Sequence, residues 1–203
     1  ALGAHPSVSV GGSRRETLCE LGIEVLELES ITLDEIFGSL QALGERVGRS
    51  EAAAQRIAEI RGTWREVARE AAQRPRRSAL FVVQRDPLFV VGGRSYLDAM
   101  LDAAGLDNAA AKYSEAYPRV SLEWLIASAP EVIIDSSADP VAAADYWARW
   151  PSIPAVAAQR VVSVPQSLTT LPGPDLDRSL RTIVAALRGA DAAAAAGDGT
   201  APQ

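Results

Sequence analysis

The residue types that most readily make or break bonds are scarce in this chain. One histidine, His5, and one cysteine, Cys19, occur in 203 residues. A Cys/His zinc site needs several such ligands at set spacings, and a single thiol forms no internal disulfide. His5 stands alone before Pro6 and reads as a solvated histidine at a helix end. There is no nucleophile elbow and no phosphate-binding loop. Asp86, Asp135 and Asp139 fall near expected strand ends, where α/β active sites form. Asp135 and Asp139 equally suit the start of a turn and a helix cap. Arg74, Arg76 and Arg77 gather around Pro75 at a helix exit and read as a solvated turn. The net charge is -6 and the pI about 4.9, so the chain lacks the concentrated basic face that a phosphate backbone requires. Neither a resident metal, a cofactor nor a nucleic-acid partner is expected, and binding is a better fit than catalysis.

The elements that must position any site follow from periodicity. Val8 and Val10 alternate with serines into Gly11, which predicts a short strand. Arg14 to Leu21 reads as a helix closed at Gly22, and Ile23 to Leu28 as the next strand. Thr32 and Glu35 form a capping box ahead of Ile36, Leu40, Leu43 and Val47 on one helical face. Ser50 to about Gln73 carries Ile57, Ile60, Trp64, Val67 and Ala71 at helical spacing. Together these predict a nearly continuous helical spine over 32–74, with Trp64 packed in it. Beyond Pro75 the α/β alternation resumes. Ala79–Val83 reads as a buried parallel strand, Tyr96–Ala104 as a helix between Ser95 and Gly105, and Ser121–Ala127 as a short helix. Val132–Ile134 and Val161–Val164 are further strands. Trp147 and Trp150 anchor a helix and its exit on the sheet, Tyr96 shares a core stripe with Met100, and Leu176 to Leu187 stripe a closing helix. The segment 190–203, rich in Ala, Gly and Asp, has no such pattern and reads as a disordered tail. Pro6 and Pro130 each introduce a strand, a short echo that suggests two similar lobes. No run reaches the roughly 18 apolar residues of a membrane span.

In this order the segments resemble the helical-backbone class of periplasmic binding proteins. That class carries cobalamin, haem, ferric siderophores or metal ions to ABC importers. The resemblance rests on "HPSVSV" with "ELGIEVLEL", then "SITLDEIFGSLQALGERVGR", "PLFVVGGRSYLDAMLDAAGLDN" and "YPRVSLEWLIASAPEVIID". It ends with "PSIPAVAAQRVVSVP" and "PGP", and runs from Ala4 to about Leu187. It implies an α/β fold of two Rossmann-like lobes joined by a long backbone helix. Residues 1–31 would be the remnant of a truncated N-terminal lobe, 32–74 the backbone helix and 75–189 the C-terminal lobe. Family members usually carry a further strand-rich segment before the position that matches Ala1.

The resemblance also implies a site and a task. The ligand would lie in a groove between lobes, gripped by Phe89 on a loop after a strand, by Tyr117, and by Thr169 and Thr170 in the last cleft loop. Gly92 and Gly93 would let the backbone approach it. Each has a competing reading: Phe89 as a core or edge plug, Tyr117 as packing before Pro118. Ser167 and Leu171 stand where the cobalamin branch carries charged residues, which favours a chelate or macrocycle held by shape. Glu123 matches a surface glutamate that docks on permease arginines, and it also suits the first turn of a helix capped by Ser121. The implied protein is a monomeric, extracytoplasmic, membrane-associated or periplasmic carrier. Its partners would be an ABC permease and a corrinoid, haem or siderophore. A sensor or scaffold of the same fold, or a chelatase-like enzyme, are the alternatives.

Overall fold

The computed structural model describes residues 12–139, 141–170 and 172–198, with side chains over 16–139, 141–168 and 172–195. His5 and the expected strand at Val8–Val10 lie outside them. Helix α1 (Gly12–Glu20) ends as its sequence predicts. The amides of Gly22 and Ile23 donate back to Cys19 and Leu18, closing the last turn.

The next segment departs from expectation. Residues 23–30 join no ladder, so the predicted strand Ile23–Leu28 is absent. Alternating apolar residues make a strand only beside another strand. Here the segment lies against a helix instead: Glu24 pairs with Arg46, and Ser39 Oγ donates to the Glu29 carbonyl. Ile23, Leu26, Leu28 and Ile31 remain largely exposed as a result.

Helix α2 (Leu33–Arg46) starts at the complete capping box. Thr32 Oγ1 accepts from the Glu35 amide at 3.2 Å, and Glu35 accepts from the Thr32 amide at 2.9 Å. Gly48, at φ +68°, makes a sharper break than the nearly continuous spine expected from the sequence. A left-handed residue there reverses the chain, and α3 (Ser50–Ala71) runs back along α2. Gly44 backs onto Ala53, while Arg61 covers the Phe37 ring at 4.9 Å. The backbone helix is therefore α3 alone, about 33 Å long at 1.5 Å per residue. Its stripe of Ile60, Thr63, Val67 and Ala71 is buried.

Beyond it lies one mixed sheet. Strand β1 (Arg77–Arg85) pairs in parallel with β4 (Val132–Asp135), and β4 with β5 (Val161–Ser163). The other edge of β1 is shared. Its first half meets β3 (Leu106–Asn108) in parallel, and its second half meets β2 (Leu88–Val90) antiparallel through a hairpin at Asp86–Pro87. The sheet is buried on both faces, as parallel sheets are. Ala79, Phe81, Val132 and Ile134 face α3, α4 (Tyr96–Ala103) and α9 (Leu176–Asp198). Leu80, Val82 and Ile133 face α5 (Leu122–Ser128), α6 (Ala143–Trp147) and α7 (Pro154–Ala157). Trp147 is fully buried there, as its anchoring role predicts.

Helix α9 continues past Gly189 to Asp198, so the stretch 190–198 is helix rather than disordered tail. Alanine has the highest helix propensity, and Asp191 is held by a two-pronged bond from Arg77. Arg76 is braced in the same way by Asp102 and Asp107, so Arg76 and Arg77 tie elements together instead of forming a solvated turn. Among the described residues no helix is long and apolar enough to cross a membrane.

Candidate ligand groove

Loops leaving the carboxyl ends of parallel strands are where open α/β sheets place ligands. At that edge β1 ends at Arg85, β4 at Asp135 and β5 at Ser163, and the chain after β5 forms the short helix α8 (Ser167–Thr170).

Phe89 is not on a loop but within β2. Leu88 and Val90 face the second core, so period-two alternation turns Phe89 to the opposite face, where it is half-buried. The segment 116–120 runs antiparallel along the outer side of β2: Val90 donates to Pro118, Val120 to Leu88, and Phe89 bridges Arg119. Tyr117 then falls on the same face as Phe89, packed against the core that includes Val91 and Tyr96.

Gly92 and Gly93 are needed by the chain's own loop. A Cβ at Gly92 would lie 2.0 Å from the Glu115 carbonyl oxygen, and one at Gly93 would lie 2.3 Å from that of Ala111. The Gly92 and Gly93 amides donate to Ala116 and Tyr113 across the same close approach. Asn108 holds the turn from below, donating to the Val91 carbonyl and to Asp98.

Tyr96, which the sequence suggests is plain core, joins the parts. Its ring is buried, its hydroxyl donates to the Leu168 carbonyl at 3.4 Å, and it lies beside the Tyr117 phenol. The loop of Tyr117 and helix α8 are thereby linked through one phenol. Thr169 and Thr170 lie on α8, but their side chains fall outside the described residues. Nothing in the local sequence flags this bridge, because its three members are 21 and 51 residues apart along the chain.

Burial pushes both phenols up, Tyr96 well above the usual tyrosine range; Tyr96 is raised further by Tyr117, whereas the neighbouring Tyr96 partly offsets the rise at Tyr117. The folded chain therefore keeps protons that the unfolded chain loses above about pH 10. Stability from these groups is complete below that pH and is lost as pH rises, by up to about 1.4 kcal/mol per pH unit for Tyr96. Urea unfolding midpoints between pH 8 and 11 should fall more steeply for the native chain than for Tyr96→Phe/Tyr117→Phe. Equal slopes would show that the pair is not protected from ionisation.

Beside the groove, at the same carboxyl end of the sheet, is a dense polar cluster. Arg85, 4% exposed, donates from Nε to Asp135 Oδ2 at 2.9 Å and from a terminal nitrogen to the Val141 carbonyl at 2.8 Å. Asp135, 1% exposed, also accepts from Trp147 Nε1 and from the amide and hydroxyl of Ser137. Every polar atom of this carboxylate is engaged, so it acts as a latch and not as a base awaiting a substrate. Asp139 turns the loop by accepting from the Val141 amide, while Asp86 is exposed at the hairpin.

Glu123 is exposed in the first turn of α5. Ser121 caps that helix, accepting from the Trp124 amide at 3.2 Å. The Glu123 carboxyl is held below the usual range by its own backbone amide and by Ser121, so it is charged at neutral pH. Trp124 packs edge-on against Tyr113 at 5.5 Å, with Lys112 over both rings. Among the described residues no group of His, Cys, Asp and Glu could hold a metal ion.

Comparison with known proteins places this architecture. The vitamin B12-binding protein of Vibrio campbellii is 25% identical over 150 residues, covering 73% of this chain and 54% of that one. The chain spans about half the length of the curated relatives it matches. The crystal structure of the periplasmic vitamin B12 binding protein BtuF of Vibrio cholerae superposes with a TM-score of 0.72 at 20% identity, over 89% of this chain and 71% of that one. The periplasmic heme-binding protein RhuT of a Roseiflexus species gives 0.74 at 20% identity, over 89% and 72%. These structures share the α/β fold built about a long helix. A match to the periplasmic binding protein family extends over residues 6–168. The chain belongs to the periplasmic binding protein family, as its resemblance to the helical-backbone class implies.

Proposed function

We propose that this chain captures a chelated metal or macrocycle, of the corrinoid, haem or ferric siderophore class, and delivers it to the permease of an ABC importer outside the cytoplasm. One observation carries the reading: Tyr96 links Tyr117 to α8 at the carboxyl edge of the sheet, with Phe89 on the same face as Tyr117. Such a surface offers flat apolar area with few polar groups, which suits a macrocycle held by contact. The ligand would rest on Phe89 and Tyr117, with Gly92 and Gly93 setting the loop beneath it and Thr169 and Thr170 supplying hydroxyls. No chemical step is part of this role, and the named relatives are binding proteins. Glu123, exposed and charged, would steer docking on a basic permease surface.

Thermal unfolding against cobalamin, haem, ferric siderophores and free metal ions tests the assignment. A ligand at about 100 times its dissociation constant should add roughly 2.7 kcal/mol, which is a rise of about 5–10 °C at this size. The rise should disappear in Phe89→Ala/Tyr117→Ala and persist in Glu123→Lys, which should instead abolish uptake in cells. No shift with any of these ligands would remove the carrier assignment and leave a scaffold of the same fold.

A further inference from the structure

At the opposite edge of the sheet, where the parallel strands begin, lies a second concavity of about 730 Å³. It is walled by the end of α3, the starts of β1, β3 and β5, and the last turns of α9. Arg74, Arg77, Arg160 and Arg188 line it, and Asp191 is the lone carboxylate among its lining residues. In a protein of net charge -6, that is a local reversal of sign.

The pairing within the cleft leaves cationic capacity over. Arg77 commits two nitrogens to Asp191, and Arg188 reaches out to Glu70 at the rim. Arg160 sits 3.5 Å from the same Asp191 oxygen, without hydrogen-bond alignment. Its buried Nε has no hydrogen-bond partner among the described residues. Arg74 is exposed and has no carboxylate within ion-pair distance among the described residues. One carboxylate is thus shared between two guanidinium groups while a third faces the same space unpaired. Guanidinium forks recognise planar or tetrahedral oxyanions through paired N–H bonds. Leu106 and Leu187 give the cleft an apolar wall, which excludes water from one side and strengthens such bonds.

We infer that this cleft is a binding site for a small molecule bearing two or more oxyanion groups, phosphate or carboxylate, seated between Arg74, Arg160 and Arg188. It is separate from the ligand groove and from Glu123, both of which belong to the other edge of the sheet. A bound polyanion would neutralise the converging arginines at the junction of the backbone helix with the sheet.

Titration calorimetry with pyrophosphate and with citrate, at ionic strength fixed by sodium chloride, tests the site and separates phosphate from carboxylate preference. One saturable event is expected with at least one probe. Arg74→Gln/Arg160→Gln should weaken it at least tenfold. Arg74→Gln alone changes only an exposed side chain, so it keeps the fold and should weaken binding by at least threefold. Arg178→Gln, an exposed arginine at the other end of α9, should leave binding unchanged. Absence of saturable binding to either probe, or equal affinity in the native chain and the double variant, would overturn the assignment. Arginine-dependent sedimentation with phosphatidylglycerol vesicles, with no binding of either free probe, would overturn it in favour of a membrane surface.

Discussion

Asp135→Ala is expected to lower the free energy of unfolding by about 3–5 kcal/mol, the usual result of removing one member of a buried ion pair. The change strands the Arg85 guanidinium at 4% exposure, with the Val141 carbonyl and the more distant Asp139 as its remaining oxygen partners. It also takes the acceptor from Trp147 Nε1 and from Ser137. A domain whose whole stability is about 5–15 kcal/mol would lose a large fraction of it. Urea denaturation of the native chain, Asp135→Ala and Arg85→Leu/Asp135→Leu gives the test. Replacing both charges with apolar residues should recover much of the loss, because the main penalty is the unpaired buried charge. A loss below 1 kcal/mol in Asp135→Ala would mean that water reaches Arg85 and the cluster is not a latch.

The second large effect should come from one methyl group. In Gly92→Ala the new Cβ would meet the Glu115 carbonyl oxygen at 2.0 Å and Pro118 Cδ at 2.9 Å. Both belong to backbone or ring, so neither can swing aside as the end of a flexible side chain would. The 111–118 loop must shift, at a cost of about 1–3 kcal/mol, and Tyr117 moves with it. We expect Gly92→Ala to remain folded, to gain protease sensitivity at residues 111–118, and to lose the ligand-induced thermal shift. A variant with native stability and native ligand response would show that the loop adapts freely, and would separate Tyr117 from the groove.

Much of this fold was legible from periodicity and capping. The stripe of Ile60, Val67 and Ala71, the stripe of Leu176, Leu180, Ile183 and Leu187, and the caps Thr32, Ser95 and Ser121 all stand where the residues predict. The strands β2 and β3 were not legible, since they form by pairing with halves of one longer strand. Ile23–Leu28 shows the converse: a strand-like pattern stays unpaired when no neighbour supplies the ladder. The sequence suggests a nearly continuous spine, because the break at Gly48 looks minor until its positive φ is known. At the site, aromatic and glycine types drew notice to Phe89, Gly92, Gly93 and Tyr117. Their sequence could not show that the glycines make room for residues 111–118, or that Tyr96 reaches Leu168, because these partners lie between about 20 and 70 positions away. The same holds for Arg77 with Asp191, which turns an apparent surface arginine cluster into a bracket across the domain.

Among the described residues, the long helices α3 and α9 are laced by three ion pairs, Arg56 with Asp177, Glu66 with Arg181 and Glu70 with Arg188. Each exposed pair adds little stability alone. Their spacing has a mechanical meaning instead: sliding one helix past the other by a full turn, about 5.4 Å, would break all the rungs at once. The lobe is therefore stiff in shear along its length, and the ladder transmits a push at one end to the other without changing register.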